Sequence, residues 1–278
     1  MKYMRVELLI ITASKEIKDG EVCIIGQGIP FAAGALAKRK HAPNAIIATE
    51  AGMVEIDLFQ TLEAIGDPGS TKGFSYSIGL FDVFTTIANR GYADVCLLGA
   101  AQIDKFGNIN STVVGDYYIS KRSDFKLSGA GGAPEFAGHC NRTVLTLVGG
   151  QFQKKLDSIT SPGWLTGGES RRKAGFPGGP SALITKDGLF RFDENSKEMY
   201  LAGLFPQTTV EEIRELIPWD LKVAEDYGKT LEKIPPPKLE DLEFLREFDP
   251  FFGISAHEGR RLQAQALPVF YERGAPND

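Results

Sequence analysis

Val6, Leu9, Ile10, Ala13 and Ile17 recur at helical spacing, and Gly20 supplies a stop. A β-rich run, Glu21–Ile25, follows and ends in Gly26-Gln27-Gly28-Ile29-Pro30. Phe31–Lys40 is alanine-rich and predicts a helix, and Ala45–Thr49 is a second short apolar run. Leu80–Asn89 predicts a helix closed by Gly91, and Asp94–Leu98 and Thr143–Val148 are further apolar runs. Short apolar strands alternating with helical segments predict an α/β fold with an open, mostly parallel sheet flanked by helices. In such sheets ligands bind beyond the carboxyl ends of the strands. The runs ending at Gly26, Glu50 and Gly99 would all finish on that edge.

The pattern changes further on. Ser181–Thr185 and Leu189–Phe192 flank Lys186-Asp187-Gly188, a hairpin signal because Asp-Gly suits the positive φ of a tight turn. Met199–Leu204 adds a strand. Thr208 or Thr209, with Glu211 or Glu212, can form a capping box for a helix that Pro218 ends. Pro235-Pro236-Pro237 is a rigid spacer before a last short helix, Leu239–Phe248. We read residues 1–278 as a single domain, with residues 230–278 an arm packed on it.

Composition narrows the function classes. Of 278 residues, 42% are hydrophobic and 24% charged, and the net charge is −5. An acidic balance argues against a general nucleic-acid or membrane-surface binder. No apolar stretch reaches membrane-spanning length, and MKYMRVELLI does not read as a signal peptide. The expected location is the cytoplasm. Cys23, Cys96 and Cys140 form no CxxC pair or disulfide framework, and His41, His139 and His257 are scattered, so no metal site is expected.

Four loops can carry chemistry. Gly26 and Gly28 let the backbone approach a ligand at a helix N-terminus, or simply make a tight strand–helix turn. In Ile46–Glu55, IIATEAGMVE, Glu50 closes an apolar run. It reads either as a cap, turn or solvated edge, or as a reactive carboxylate at the rim of a sheet. Glu55 and Asp57 alternate with Val54 and Ile56 and read as the polar face of a strand. Gln102 and Asn110 can bind a ligand amide or carboxylate, or satisfy loop backbone. Ser128–Glu135 has three glycines, and around Gly131 and Gly132 it can present N–H donors to an oxyanion. His139 beside Cys140 is a poor catalytic pair, since adjacent side chains often point apart. Arg171-Arg172-Lys173 reads as a solvated or subunit-facing charge run, with phosphate binding as the other reading.

Together these loops resemble the β subunit of family I coenzyme A-transferases, in particular that of glutaconate CoA-transferase. The landmarks are GQGIP (Gly26–Pro30), TEAG (Thr49–Gly52), GAAQID with GNINST (Gly99–Thr112), GAGGA (Gly129–Ala133), SPGW (Ser161–Trp164), and DGLFRFD followed by MYLAGLFP. The resemblance covers most of the chain, and the order and spacing of these pieces carry it. It implies a fold shared with sugar-phosphate isomerase-like proteins. It also implies a partner α subunit, in a heterodimer or heterotetramer, with the active site between the two. Glu50 takes the place of the family's catalytic glutamate, and Ala51 replaces the Ser or Asn usual beside it. Glu135 stands where the family's Gly-Gly-x-x-Asp pattern has Asp. The implied reaction moves CoA between an acyl-CoA and a carboxylic acid, such as the short dicarboxylic acid glutaconate, through a glutamyl-CoA thioester. CoA is then a co-substrate, and no permanently bound cofactor is expected. Acyl-CoA hydrolysis, ring cleavage or decarboxylation on the same fold is the alternative. A ligand-binding regulator module is a third reading, disfavoured because no DNA-binding segment is evident.

Overall fold

The computed structural model describes residues 2–56, 58, 67–115, 125–127 and 129–249. Asp57, Ser128 and the part of the arm beyond Asp249 lie outside the described residues. The elements are, in chain order, α1 (Arg5–Ser14), β1 (Val22–Ile25), α2 (Ile29–Lys40), β2 (Ile46–Ala48), β3 (Met53–Val54), β4 (Tyr76–Ser77) and α3 (Leu80–Asp82). A π-helical turn, Val83–Ala88, continues α3. Then come β5 (Val95–Gly99), β6 (Gln102–Ile103), β7 (Ile109–Asn110), β8 (Val113–Val114), β9 (Phe125–Lys126), α4 (Ala133–His139), β10 (Arg142–Leu147) and β11 (Gln151–Phe152). The chain continues through α5 (Ser170–Lys173), β12 (Pro180–Thr185), β13 (Gly188–Phe192), β14 (Met199–Leu204), α6 (Val210–Leu216), β15 (Lys222–Val223), β16 (Glu232–Lys233) and α7 (Leu239–Phe248).

The main sheet runs β15-β14-β13-β12-β10-β5-β1-β2-β3-β4, with β16 also on β14. Its centre, β12-β10-β5-β1-β2, is parallel, and β13 and β3 turn antiparallel at the two sides. The near-continuous apolar runs read from the sequence are what a parallel sheet covered on both faces requires. The two cores follow the period of two along each strand. Cys23, Ile25, Ile47, Val95 and Leu97 face one core with α1, α2 and α7. Ile24, Ala48, Cys96 and Leu98 face the other, with the π turn, α4 and α6.

Local signals mostly act as expected. Pro30 lies in the first turn of α2, where its missing N–H costs nothing, so the helix starts at Ile29 rather than Phe31. Thr209 caps α6: its Oγ1 accepts from Glu212 N at 3.2 Å, and Glu212 Oε2 accepts from Thr209 N at 2.8 Å. Arm helix α7 stacks Phe248 on Phe31 with centroids 6.1 Å apart. Three expectations need correction. Leu80–Asn89 is not a plain α-helix, because its second half is π-helical. The β12–β13 hairpin forms, but Gly188 is not in the left-handed region. Glycine is needed there because an added Cβ would stand 2.5 Å from the Gly203 carbonyl oxygen. Nor is Glu55 on a strand face: β3 stops at Val54, and Glu55 has φ +55°.

Candidate active site

The register of the parallel strands brings their carboxyl ends to one edge. Ile24 pairs with Ala48, Ile25 with Leu97, and Gly99 with Thr146. Gly26, Glu50 and Gly99 therefore leave the sheet side by side. Gly26 N donates to Leu97 O at 3.3 Å, and a Cβ on Gly26 would stand 3.5 Å from that oxygen. Gly28, at φ +80°, opens α2. Beyond Glu50 the chain reverses sharply. Gly52 has φ +96°, and a Cβ on it would lie 1.9 Å from Ile78 O, so only glycine fits between Glu50 and β4.

The Gly-rich loop before α4 lands on Glu50. Gly132 N donates to Glu50 Oε2 at 2.9 Å. A Cβ on Gly131 would lie 3.4 Å from both carboxylate oxygens. One on Gly132 would stand 2.8 Å from Glu50 Oε2 and 2.7 Å from both Phe84 Cε1 and Phe136 Cε2. Those two rings stack with centroids 5.0 Å apart and an interplanar angle of 21°. The half-buried Glu50 carboxylate thus sits under a backbone donor beside an aromatic pair, one ring of which comes from the π turn, a distortion that recurs at functional sites. Nothing in the sequence marks Phe84 or Phe136, since each reads as an ordinary apolar position in a helix.

The remaining candidates separate from this cluster. Gln102 is 1% exposed. Its Nε2 donates to Asp157 Oδ2 at 2.7 Å, and its Oε1 accepts from Asn110 Nδ2 at 2.8 Å. Asn110 also accepts from Thr112 N and donates to Val113 O. Both amides are engaged in holding the loops around β6 and β7. Glu55 pairs with Lys38 Nζ at 2.9 Å and accepts from Ile47 N at 3.2 Å, which makes it a brace under β2. Burial pushes the Cys23 thiol well above its usual range, and a hydrogen bond with Cys96, then burial, pushes up that of Cys140. Neither is a thiolate nucleophile at neutral pH. The charge-run reading of Arg171–Lys173 needs correction as well. Arg172 is exposed and pairs with Glu169, but Arg171 is 1% exposed and buried among backbone carbonyls.

Among the described residues no helix is long and apolar enough to cross a membrane. A cavity of about 580 Å³ lies between α2, α7 and the end of β3, lined by Lys38, Glu55, Phe244 and Phe248. Neither Glu50 nor the glycine loop lines it. The edge around Glu50 instead adjoins an exposed apolar segment in which Tyr76 is 69% exposed, Leu80 54% and Phe81 74%.

Comparison with known proteins shows the family and the fold. Residues 6–216 match the coenzyme A transferase family. The chain is 33% identical over 260 residues to the β subunit of glutaconate CoA-transferase from Acidaminococcus fermentans, covering 89% of this chain and 93% of that one. It is 34% identical over 250 residues to the β subunit of 3-oxoadipate CoA-transferase from Pseudomonas knackmussii, covering 89% and 94%. The crystal structure of the Acidaminococcus fermentans glutaconate enzyme superposes with a TM-score of 0.81 at 28% identity, covering 91% and 97% of the two chains. The decarboxylase AibA/AibB shares the fold, with a TM-score of 0.73 at 23% identity over 92% and 98%. The chain belongs to the coenzyme A transferase family, on the β-subunit side.

Proposed function

We propose that Glu50 is the nucleophile of this CoA-transferase subunit, and that acyl transfer passes through a glutamyl-CoA thioester. The observation that carries this is the 2.9 Å hydrogen bond from Gly132 N–H to the Glu50 carboxylate at the strand edge. A Glu50 oxygen attacks the thioester carbonyl of an acyl-CoA and expels CoA thiolate, leaving a mixed anhydride. The thiolate attacks the Glu50 carbonyl carbon and expels the first acid as its carboxylate, which leaves Glu50 bound to CoA through sulfur. A second carboxylate attacks that thioester and displaces the thiolate to form a new anhydride. The thiolate then takes the acyl group, and Glu50 is regenerated.

When thiolate attacks at Glu50, negative charge develops on the remaining Glu50 oxygen. The Gly132 N–H lies within the 2.7–3.1 Å range expected of an oxyanion donor, and it is in place before the reaction. Gly131 without a side chain leaves room beside both oxygens. Gly26 and Gly28 line the neighbouring strand–helix turn, where CoA can approach the protein backbone closely. Gln102 serves the site by fixing the loops after β5 rather than by touching substrate.

A thioester intermediate must be kept from water. The open edge and the exposed Tyr76, Leu80 and Phe81 support a partner α subunit that docks on this face and closes the site. The substrates are an acyl-CoA and a carboxylic acid. A short dicarboxylic acid is the reading favoured by likeness to the glutaconate and 3-oxoadipate enzymes. The acidic charge and the three free, buried cysteines suit a cytoplasmic setting.

The test is co-expression with the partner subunit and incubation with acyl-CoA without acceptor. Hydroxylamine or borohydride trapping and peptide mass spectrometry should place the modification on Glu50. An active complex with Glu50 unmodified would refute the assignment. Acceptor-independent release of CoA at the turnover rate would favour hydrolysis instead.

A further inference from the structure

Arg171 heads the fully buried side chains of the described residues by size. It takes part in none of the ion pairs found among those residues, and every acceptor around it is a main-chain carbonyl. Nη2 donates to Ala137 O at 2.6 Å, Gly138 O at 3.3 Å and Pro177 O at 2.7 Å. Nη1 donates to Pro162 O at 3.1 Å and Gly163 O at 2.8 Å, and Nε to Pro177 O at 2.9 Å. The rings of Trp164 and Phe176 flank it at 5.9 and 5.5 Å. Burial lowers its pKa to about 10, so it remains a cation at neutral pH. A buried charge costs several kcal/mol, and an apolar side chain would fill the same space without that cost. The cation is therefore explained by what its fork holds in place.

Two of its acceptors, Ala137 O and Gly138 O, belong to the last turn of α4. The residue just before α4, Gly132, donates to Glu50. Gly132 and Ala137 are five positions apart, about 7.5 Å along a helix at 1.5 Å per residue. A shift of α4 at the clamped end therefore carries the Gly132 N–H with it. We propose that Arg171 is a positioning residue for CoA transfer: by tying α4 to the Pro162-Gly163 and Pro177 turns, it holds the Gly132 donor on Glu50. This rests on Glu50 being the nucleophile.

The test uses the complex with its partner subunit and two variants, Arg171→Lys and Arg171→Gln. Steady-state kinetics are combined with the quenched-flow rate of Glu50 thioester formation. A displacement approaching 1 Å at the reacting group lowers rate by up to roughly 100-fold, so kcat and thioester formation should fall by about 10- to 100-fold. KM for acyl-CoA should change by less than about twofold, because uniform binding is untouched. Thr209→Ala, which lowers stability far from the site, should leave both constants unchanged. Thioester formation at the wild-type rate in Arg171→Lys and Arg171→Gln would overturn the proposal, as would a loss confined to KM. Absence of any Glu50 label in the wild type would instead refute the nucleophile assignment, a separate outcome. If neither Arg171 variant folds, Ala137→Gly loosens α4 at the clamped carbonyl. A several-fold loss confined to kcat then supports the proposal, and an unchanged kcat overturns it.

Discussion

Replacing Gly132 with alanine tests the core of the site with one methyl group. The new Cβ would stand 2.7 Å from Phe84 Cε1, 2.7 Å from Phe136 Cε2 and 2.8 Å from Glu50 Oε2. Real Cβ atoms do not approach so closely, so one neighbour must move. Phe136 is 3% exposed and stacks on Phe84, which leaves little room for either ring to retreat. The half-buried carboxylate is the member able to yield, and moving it breaks the Gly132 hydrogen bond. A hydrogen bond to a charged group contributes about 1.5–3 kcal/mol. At 1.36 kcal/mol per tenfold, its loss predicts a roughly 10- to 150-fold fall in kcat. The assay is turnover of the complex with its partner subunit, with the rate of Glu50 thioester formation measured alongside. Gly228→Ala is the control. It forces alanine into positive φ (+68°), a strain absent at Gly132 (φ −80°), with nothing within 4 Å of the added Cβ. It should cost about 1–2 kcal/mol of stability and leave kcat unchanged. A Gly132→Ala enzyme within twofold of wild type would refute the geometric argument.

Other changes separate bracing from chemistry. Glu55→Gln removes the charge paired with Lys38 and should cost about 1 kcal/mol in urea unfolding, with kcat within twofold; a 100-fold loss of kcat would move the nucleophile away from Glu50. Burial raises the Asp104 pKa against the opposing hydrogen bonds from Asn108 and Phe106. The folded state therefore holds the Asp104 proton to higher pH than the unfolded chain does. That contribution to stability is complete below the ordinary value of 3.8 and is lost as pH rises through the raised folded value. Unfolding free energies of wild type and Asp104→Asn, followed from acid to neutral pH, should show this loss in the wild type only. Gly188→Ala drives a Cβ against the Gly203 carbonyl and should cost about 1–3 kcal/mol in denaturant unfolding. Thr209→Ala removes the α6 capping box and should cost about 1 kcal/mol, read as a lower Tm.

How much of this was legible depends on the range of the interaction. The longer strands β1, β2, β5, β10, β12, β13 and β14 and most helices could be read because apolar period and caps are local properties, whereas two-residue strands such as β4, β6, β7 and β15 are too short to carry a period. The π turn could not, since an i, i+5 ladder places apolar residues almost as an α-helix does. The positive φ assigned to Asp187-Gly188 failed for a related reason. Glycine there answers the approach of Gly203 on β14, a tertiary contact that no turn rule contains. Glu50 by itself read equally as a turn, cap or edge residue, and the resemblance carried by TEAG and its neighbouring loops singled it out. The choice between Glu50 and Glu55 became physical once the structure placed Lys38 on one and the Gly132 N–H on the other. Arg171 was misread because it sits in a polar run with Arg172 and Lys173, and its acceptors are backbone carbonyls that have no signature in sequence.

The convergence on Glu50 follows from topology rather than from coincidence among loops. Each crossover between parallel strands must leave at the carboxyl edge and return along the sheet. The β1–α2–β2 crossover therefore puts Gly28, at the start of α2, on that edge. The connection from β5 to β10 must likewise begin α4 there, because α4 has to run back before β10 can lie beside β5 in parallel. The residue that precedes α4, Gly132, is thus brought to the level where β2 ends, 82 positions from Glu50 in sequence. What topology does not fix is the last ångström. That depends on contacts at the other end of α4, where the Arg171 guanidinium holds the Ala137 and Gly138 carbonyls. A transferase needs its donor placed before charge develops, since a donor that must reorient gives back part of its stabilisation. A seven-residue helix held at its far end by a buried arginine meets that requirement with few residues, and it explains why a cation is retained where an apolar side chain would be cheaper to bury.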